Sequence, residues 1–147
     1  MLNKDYKDIL SELLAQQAEF ILVGAYAMAA HGFPRATMDI DLWVNPTAEN
    51  AQNVYRALEN FGAPLNQISA DDFATPGIIF QIGVAPRRID ILTSISGVEY
   101  QEANAASQTT DIDGCPIKVL SSGHLIKNKK AAGRPKDLID VETLRNL

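Results

Sequence analysis

Residues 35–44, RATMDIDLWV, alternate polar and apolar side chains, the period of a strand whose two faces meet different surroundings. Asp39, Asp41 and Trp43 fall on one face, and Ile40, Leu42 and Val44 on the other. The apolar face has to be core. The acidic face sets two like charges a few ångströms apart, and any fold built on this strand must account for them.

The surrounding sequence supplies the rest of a sheet. Residues 5–16, DYKDILSELLAQ, space Tyr6, Ile9, Leu10, Leu13 and Leu14 as one face of a helix. EFILVG follows as a short buried strand, and Gly24 opens a small-residue helix, AYAMAAHG, that stops at Gly32 and Pro34. After the acidic strand (38–44), Pro46 and Thr47 open a helix closed by Gly62 and Pro64. Residues 65–77 read as irregular. Two strands, 78–84 and 87–94, joined through Ala85 and Pro86, can connect only as a hairpin. A short helix at 99–106, a hairpin around Asp113 and Gly114, and two helices broken at Gly133-Arg134-Pro135 complete the chain. The expected class is α+β with α/β character, a small mixed sheet flanked by helices. One domain over 1–147 is expected, since domains commonly run to roughly 100–150 residues.

In RRIDILTS the same alternation puts Arg88, Asp90 and Leu92 on one face, and Ile89 and Ile91 on the other. If this strand lies beside the first, three carboxylates converge. Such a group repels itself unless a cation sits in it, and oxygen ligands without His or Cys select Mg²⁺ or Mn²⁺. LVGAYAMAA adds a strand, a glycine and a helix start whose free N–H groups favour an anion.

Gly24-Ala25, Asp39-Ile40-Asp41-Leu42 and Asp90 together resemble the signature of the polymerase-β-type nucleotidyltransferase superfamily. HGFPRATMDIDLWV and HLIKNKKAAGRPKDLIDVETL are similar to bacterial stand-alone nucleotidyltransferase-like proteins, including members of toxin–antitoxin and abortive-infection modules. The likeness spans most of residues 20–145. It implies a nucleotidyltransferase core at about 19–94, followed by a C-terminal hairpin and two helices at about 108–147. It implies that Asp39 and Asp41 hold Mg²⁺ bridging the phosphates of an NTP, ATP foremost, and that Asp90 helps hold a second metal and activates the acceptor hydroxyl. Ala25 stands where the family prefers Gly or Ser, so a side-chain hydroxyl for phosphate is missing.

Other residues divide between two readings. Arg35 is a triphosphate contact or a surface charge. Lys127 and Lys130, three apart on a helix, bind phosphate or are solvated. His31 ends its helix as a dipole partner or acts as a base, and Asp137 and Asp140 suit the first turn after Pro135. Trp43 packs or stacks on a base.

Thirteen Lys and Arg against eighteen Asp and Glu give a net charge of −5, which disfavours extended nucleic acid as a partner. Six of the thirteen bases fall between Gly114 and Lys136, a stretch free of acids. The single Cys115 excludes an internal disulfide, the first ten residues are charged, and no apolar run is long enough to cross a membrane; a cytoplasmic protein is expected. Two functions follow as expectations. One is an Mg²⁺-dependent nucleotidyltransferase acting on a hydroxyl of a protein, RNA or small molecule. The other is a non-catalytic module of the same fold, an antitoxin or regulator with a helical protein partner.

Overall fold

The structure, a computed structural model, describes residues 2–35 and 39–146. One sheet of six strands organises it. In chain order the strands are β1 (Phe20–Val23), β2 (Ile40–Val44), β3 (Ile79–Ile82), β4 (Ile89–Leu92), β5 (Gln108–Ile112) and β6 (Cys115–Val119), arranged β3-β4-β2-β1-β6-β5. The helices are α1 (Lys4–Ala15), α2 (Gly24–Ala30), α3 (Ala48–Phe61), α4 (Tyr100–Ala106), α5 (Ser122–Ala132) and α6 (Pro135–Arg145). The mixed α/β class is as expected. Met38, expected to begin the acidic strand, lies outside the described residues.

The sheet is mixed because its connections differ. β1 and β2 are antiparallel, β2 and β4 parallel, β3 and β4 antiparallel. Residues 83–88 return the chain directly, so β3 and β4 form the expected hairpin. β6 pairs with β1 in parallel, with Leu22 opposite Val119. The C-terminal hairpin is therefore part of the same sheet as the strands before it.

Leu22, Leu42, Ile91 and Phe80 share one face by register. α1 and α3 cover this face. Tyr6, Ile9, Leu10 and Leu13 of α1 and Val54, Ala57 and Leu58 of α3 are buried, each row at helical spacing. α3 starts at Thr47, whose hydroxyl accepts from the Asn50 N–H, and ends at Gly62 in the left-handed region, which glycine alone enters without strain. Residues 65–77 are less irregular than expected. Ala70–Ala74 form a 3-10 turn that drops Phe73 into the core against Phe80, ring centroids 5.9 Å apart.

The other face is covered only in part. Trp43, on the same side as Asp41, is buried under Tyr100 of α4, edge to face at 5.1 Å. Packing is thus the role of Trp43. Two residues earlier along β2 the cover ends, and the acidic end of the strand lies open.

Candidate active site

The turn from β1 into α2 sets the geometry of the open end. Gly24 has φ +67°, the left-handed region. A Cβ placed there would overlap Asp41 Oδ2 and stand 3.1 Å from its Cγ. Val23 is the register partner of Asp41, so the first turn of α2 is laid against that carboxylate. Only glycine permits so close an approach. Ala25, half-buried, follows on the helix.

Asp41 and Asp90 are direct partners in the parallel pair of β2 and β4. Both side chains leave the sheet on the same face. Burial, then the charge and hydrogen bond of Asp90, then the charge of Asp39, push Asp41 up to about 7, while Arg88 pulls the other way. Near pH 7 the Asp41 carboxyl is therefore part protonated. Arg88, two residues before Asp90 on its face, spans the group. Its Nε donates to Asp90 Oδ1 at 2.9 Å, and its Nη2 reaches Asp90 Oδ2 and Asp39 Oδ2, each at 3.3 Å. The Arg88 backbone N–H donates to Asp39 Oδ1 at 3.3 Å.

The facing wall comes from α5 and α6. Gly133 ends α5 in the left-handed region and Pro135 begins α6, with Arg134 as the cap between them. This tight reversal packs the two helices together. Asp137, 1% exposed, accepts from Arg134 Nε at 2.6 Å and from the Arg134 backbone N–H at 3.2 Å. Lys129 Nζ lies 2.7 Å from Asp140 Oδ2 and 3.8 Å from Asp137 Oδ1, and Arg35 also donates to Asp140. Burial alone would raise both acids. The hydrogen bonds of Arg134 to Asp137, and of Lys129 and Arg35 to Asp140, win and leave both below the usual carboxylate range. Lys136 has no ion-pair partner among the described residues.

Between the two walls lies a cavity of about 360 Å³. Gly24, Ala25, Arg35, Asp39, Asp41 and Asp90 all line it, so the residues singled out before and within the first two acidic strands come together. Lys127 and Lys130 do not reach it. Lys127 donates to Glu102 of α4 at 3.1 Å, and Lys130 is exposed. It is Lys129, between them in sequence, that turns to Asp140 and Asp137 of α6. His31 caps α2, its Nε2 donating to the Leu120 carbonyl at 2.8 Å.

Six lining residues had no assigned place there: Arg88, Lys129, Arg134, Lys136, Asp137 and Asp140. Arg88 was legible, since the alternation that selects Asp90 also selects it. Asp137 does sit in the first turn of α6 as helix electrostatics favour, yet it and Asp140 also face the cavity. Only the packing of α6 against α5 brings them there.

The fold has a solved counterpart. The crystal structure at 1.87 Å of a "putative nucleotidyltransferase" from Thermotoga maritima superposes with a TM-score of 0.61 at 19% identity, covering 99% of this chain and 94% of that one. No curated protein gives a significant match. The family described as "Nucleotidyl transferase of unknown function" (DUF2204) matches residues 2–147. A match over that span, on a chain that sets an Asp-Ile-Asp strand beside a third aspartate and a glycine turn, places the protein in this nucleotidyl transferase family.

Proposed function

We propose that the chain transfers a nucleoside monophosphate from an NTP to a hydroxyl acceptor, with release of pyrophosphate, at the cavity between the sheet and α6. The observation that carries this is the pairing of Asp41 with Asp90 in register, held against the Gly24 turn. No folding benefit comes from burying Asp41 beside a second carboxylate whose charge raises its proton affinity.

The donor set suits a hard divalent cation. Asp41 and Asp90 offer oxygen alone, which favours Mg²⁺ or Mn²⁺. Among the described residues no three acids, histidines or cysteines already form a metal cage, and Arg88 pairs with both Asp39 and Asp90. Asp41 and Asp90 would hold the ion, with Asp39 beside them, and the ion would neutralise charge on the phosphates and orient them.

The remaining work falls to the protein. The N–H groups at the start of α2 face the phosphate side. Arg134, Lys129 and Lys136 surround it with positive charge that needs no rearrangement of solvent during the reaction. Asp90 would accept the proton of the attacking hydroxyl, with the hydrogen bonds from Arg88 fixing its orientation. Positioning of two reactants supplies most of the rate in such a transfer.

Two observations favour the alternative, a non-catalytic binding module acting as antitoxin or regulator on a protein partner. Ala25 lines the cavity with a methyl group, and four of the five cations are already paired. Incubation with each α-³²P-labelled NTP and Mg²⁺, with and without cell extract, separates the two. Label on an acceptor, lost in Asp41→Asn, supports transfer; NTP bound but never turned over in any extract sinks it in favour of the module.

A further inference from the structure

We infer that the outer edge of β3 is the contact of a homodimer, in which the β3 strands of two copies pair antiparallel across a two-fold axis and join two sheets into one. This pairing is independent of the proposed transfer. Among the described residues the sheet ends at β3 on one side and at β5 on the other. A strand at an edge offers unpaired N–H and C=O groups to any other chain, and charge along it is a common protection. β5 has that protection: Asp111 lies within it, Asp113 follows it, and none of its apolar side chains is exposed. β3 has none. Residues 73–86, FATPGIIFQIGVAP, carry no charge. Ile79 is 62% exposed, and Val84, just beyond the strand, 79%.

The backbone of β3 is free to pair outward. The Thr93 N–H donates to the Ile78 carbonyl, and the register then commits Phe80 and Ile82 to β4 as well. By the alternation of an antiparallel ladder, Ile79 and Gln81 turn their N–H and C=O groups away from β4. A second β3 running the other way sets Ile79 opposite the partner's Gln81 and satisfies both.

Charge selects a second copy over another chain. Asp71 sits in the 3-10 turn Ala70–Ala74, which leads into β3 through Thr75 and Gly77, tied to Thr93 and Ser94 of the neighbouring chain segment. Arg87 sits at the far end, where the chain returns to β4. Both are exposed, and among the described residues neither has an ion-pair partner. Antiparallel pairing brings the acidic end of each copy to the basic end of the other. The edge is thus complementary to itself, as a closed two-fold contact requires. The axis stands perpendicular to the sheet, so both cavities open on the same side of the joined sheet.

Sedimentation equilibrium of the intact chain tests this. Wild type should dimerise in the micromolar range. Gln81→Pro removes an outward N–H that β4 does not use, and Ile79→Lys puts a charge on the edge; each should weaken the dimer at least about 10-fold. Asp71→Arg and Arg87→Asp should each weaken it about 3–10-fold, and the chain carrying both should recover most of the loss. Urea melts at a dilution where every form is monomeric separate loss of the dimer from loss of the fold, and the two charge reversals lie outside the strand. A wild type that stays monomeric throughout, or a dimer that Gln81→Pro and Ile79→Lys leave intact, overturns the inference. So does a double reversal that recovers nothing, or an assembly that grows past two copies with concentration.

Discussion

Replacing Asp41 by Asn should make the protein more stable, and only at neutral and alkaline pH. Asp41 is raised from 3.8 to about 7, chiefly by burial and by Asp90. A carboxyl with a raised pKa binds its proton more tightly folded than unfolded. Its contribution is therefore complete below about pH 4, declines as pH climbs toward 7 and is lost above that. At ~1.36 kcal/mol per unit, three units set a ceiling of about 4 kcal/mol. Solvent at the cavity mouth screens part of this, leaving about 1–2 kcal/mol. An amide at position 41 keeps a donor for Asp90 and removes the charge. Urea melts of both forms in EDTA, from pH 4 to 8.5, should coincide at the acid end and diverge by that amount at pH 8. For a chain of this size the melting temperature of the variant would then be about 2–8 °C higher at pH 8. A variant equal to or less stable than wild type at pH 8, or a gain independent of pH, would refute the claim that the two carboxylates oppose folding.

Gly24→Ala must hold a side chain at positive φ and push Asp41 aside, so it should cost about 2–4 kcal/mol; a urea melt unchanged from wild type would mean the turn is not as described. Ala25→Ser should tighten NTP binding in Mg²⁺ about tenfold, through one hydrogen bond to a charged oxygen worth ~1.5–3 kcal/mol; calorimetry on both forms decides. Arg88→Met should lower turnover about 10–100-fold, as loss of an orienting partner does. It should also shift the pH profile upward, since Arg88 holds down the proton affinity of Asp41; an unmoved profile assigns Arg88 a purely structural role. Mg²⁺ should raise the melting temperature of wild type but not of Asp41→Asn, and an equal response in both places the ion elsewhere.

The acidic wall was legible because a strand has an exact period. Once Ile40, Leu42 and Val44 are core, Asp39 and Asp41 have no choice of side, and the same holds for Asp90 between Ile89 and Ile91. What alternation could not supply was adjacency. That β4 lies beside β2, parallel and with Asp41 opposite Asp90, depends on the chain crossing from β2 through α3 and returning through β3. The helical wall was harder still. Lys127, Lys129 and Lys130 differ by one or two positions in a helix with little apolar patterning, so the sequence does not show which face turns inward. Packing decides it: Leu125 is buried and Lys129 is turned to Asp140 and Asp137 of α6. The reversal at Gly133-Arg134-Pro135 was readable. Its consequence, two further carboxylates at the cavity, was not.

The charge arrangement bears on how the cavity fills. Among the described residues five carboxylates and five cations line it, and most satisfy each other: Arg88 with Asp39 and Asp90, Lys129 and Arg35 with Asp140, Arg134 with Asp137. On the proposed reading, a phosphate that draws Arg134 or Lys129 to itself strips Asp137 or Asp140 of its partner, and a buried anion left unpaired is costly. A divalent cation alone meets the converse difficulty, since Asp90 and Asp39 are already held by Arg88. Each ligand removes the obstacle to the other. Phosphate takes up cation charge that competes for the acids, and the metal takes up acid charge that competes for the bases. Polyphosphate and Mg²⁺ should therefore bind cooperatively, each raising the affinity for the other by the same factor. On that reading the closely paired walls act as a guard against either ligand on its own.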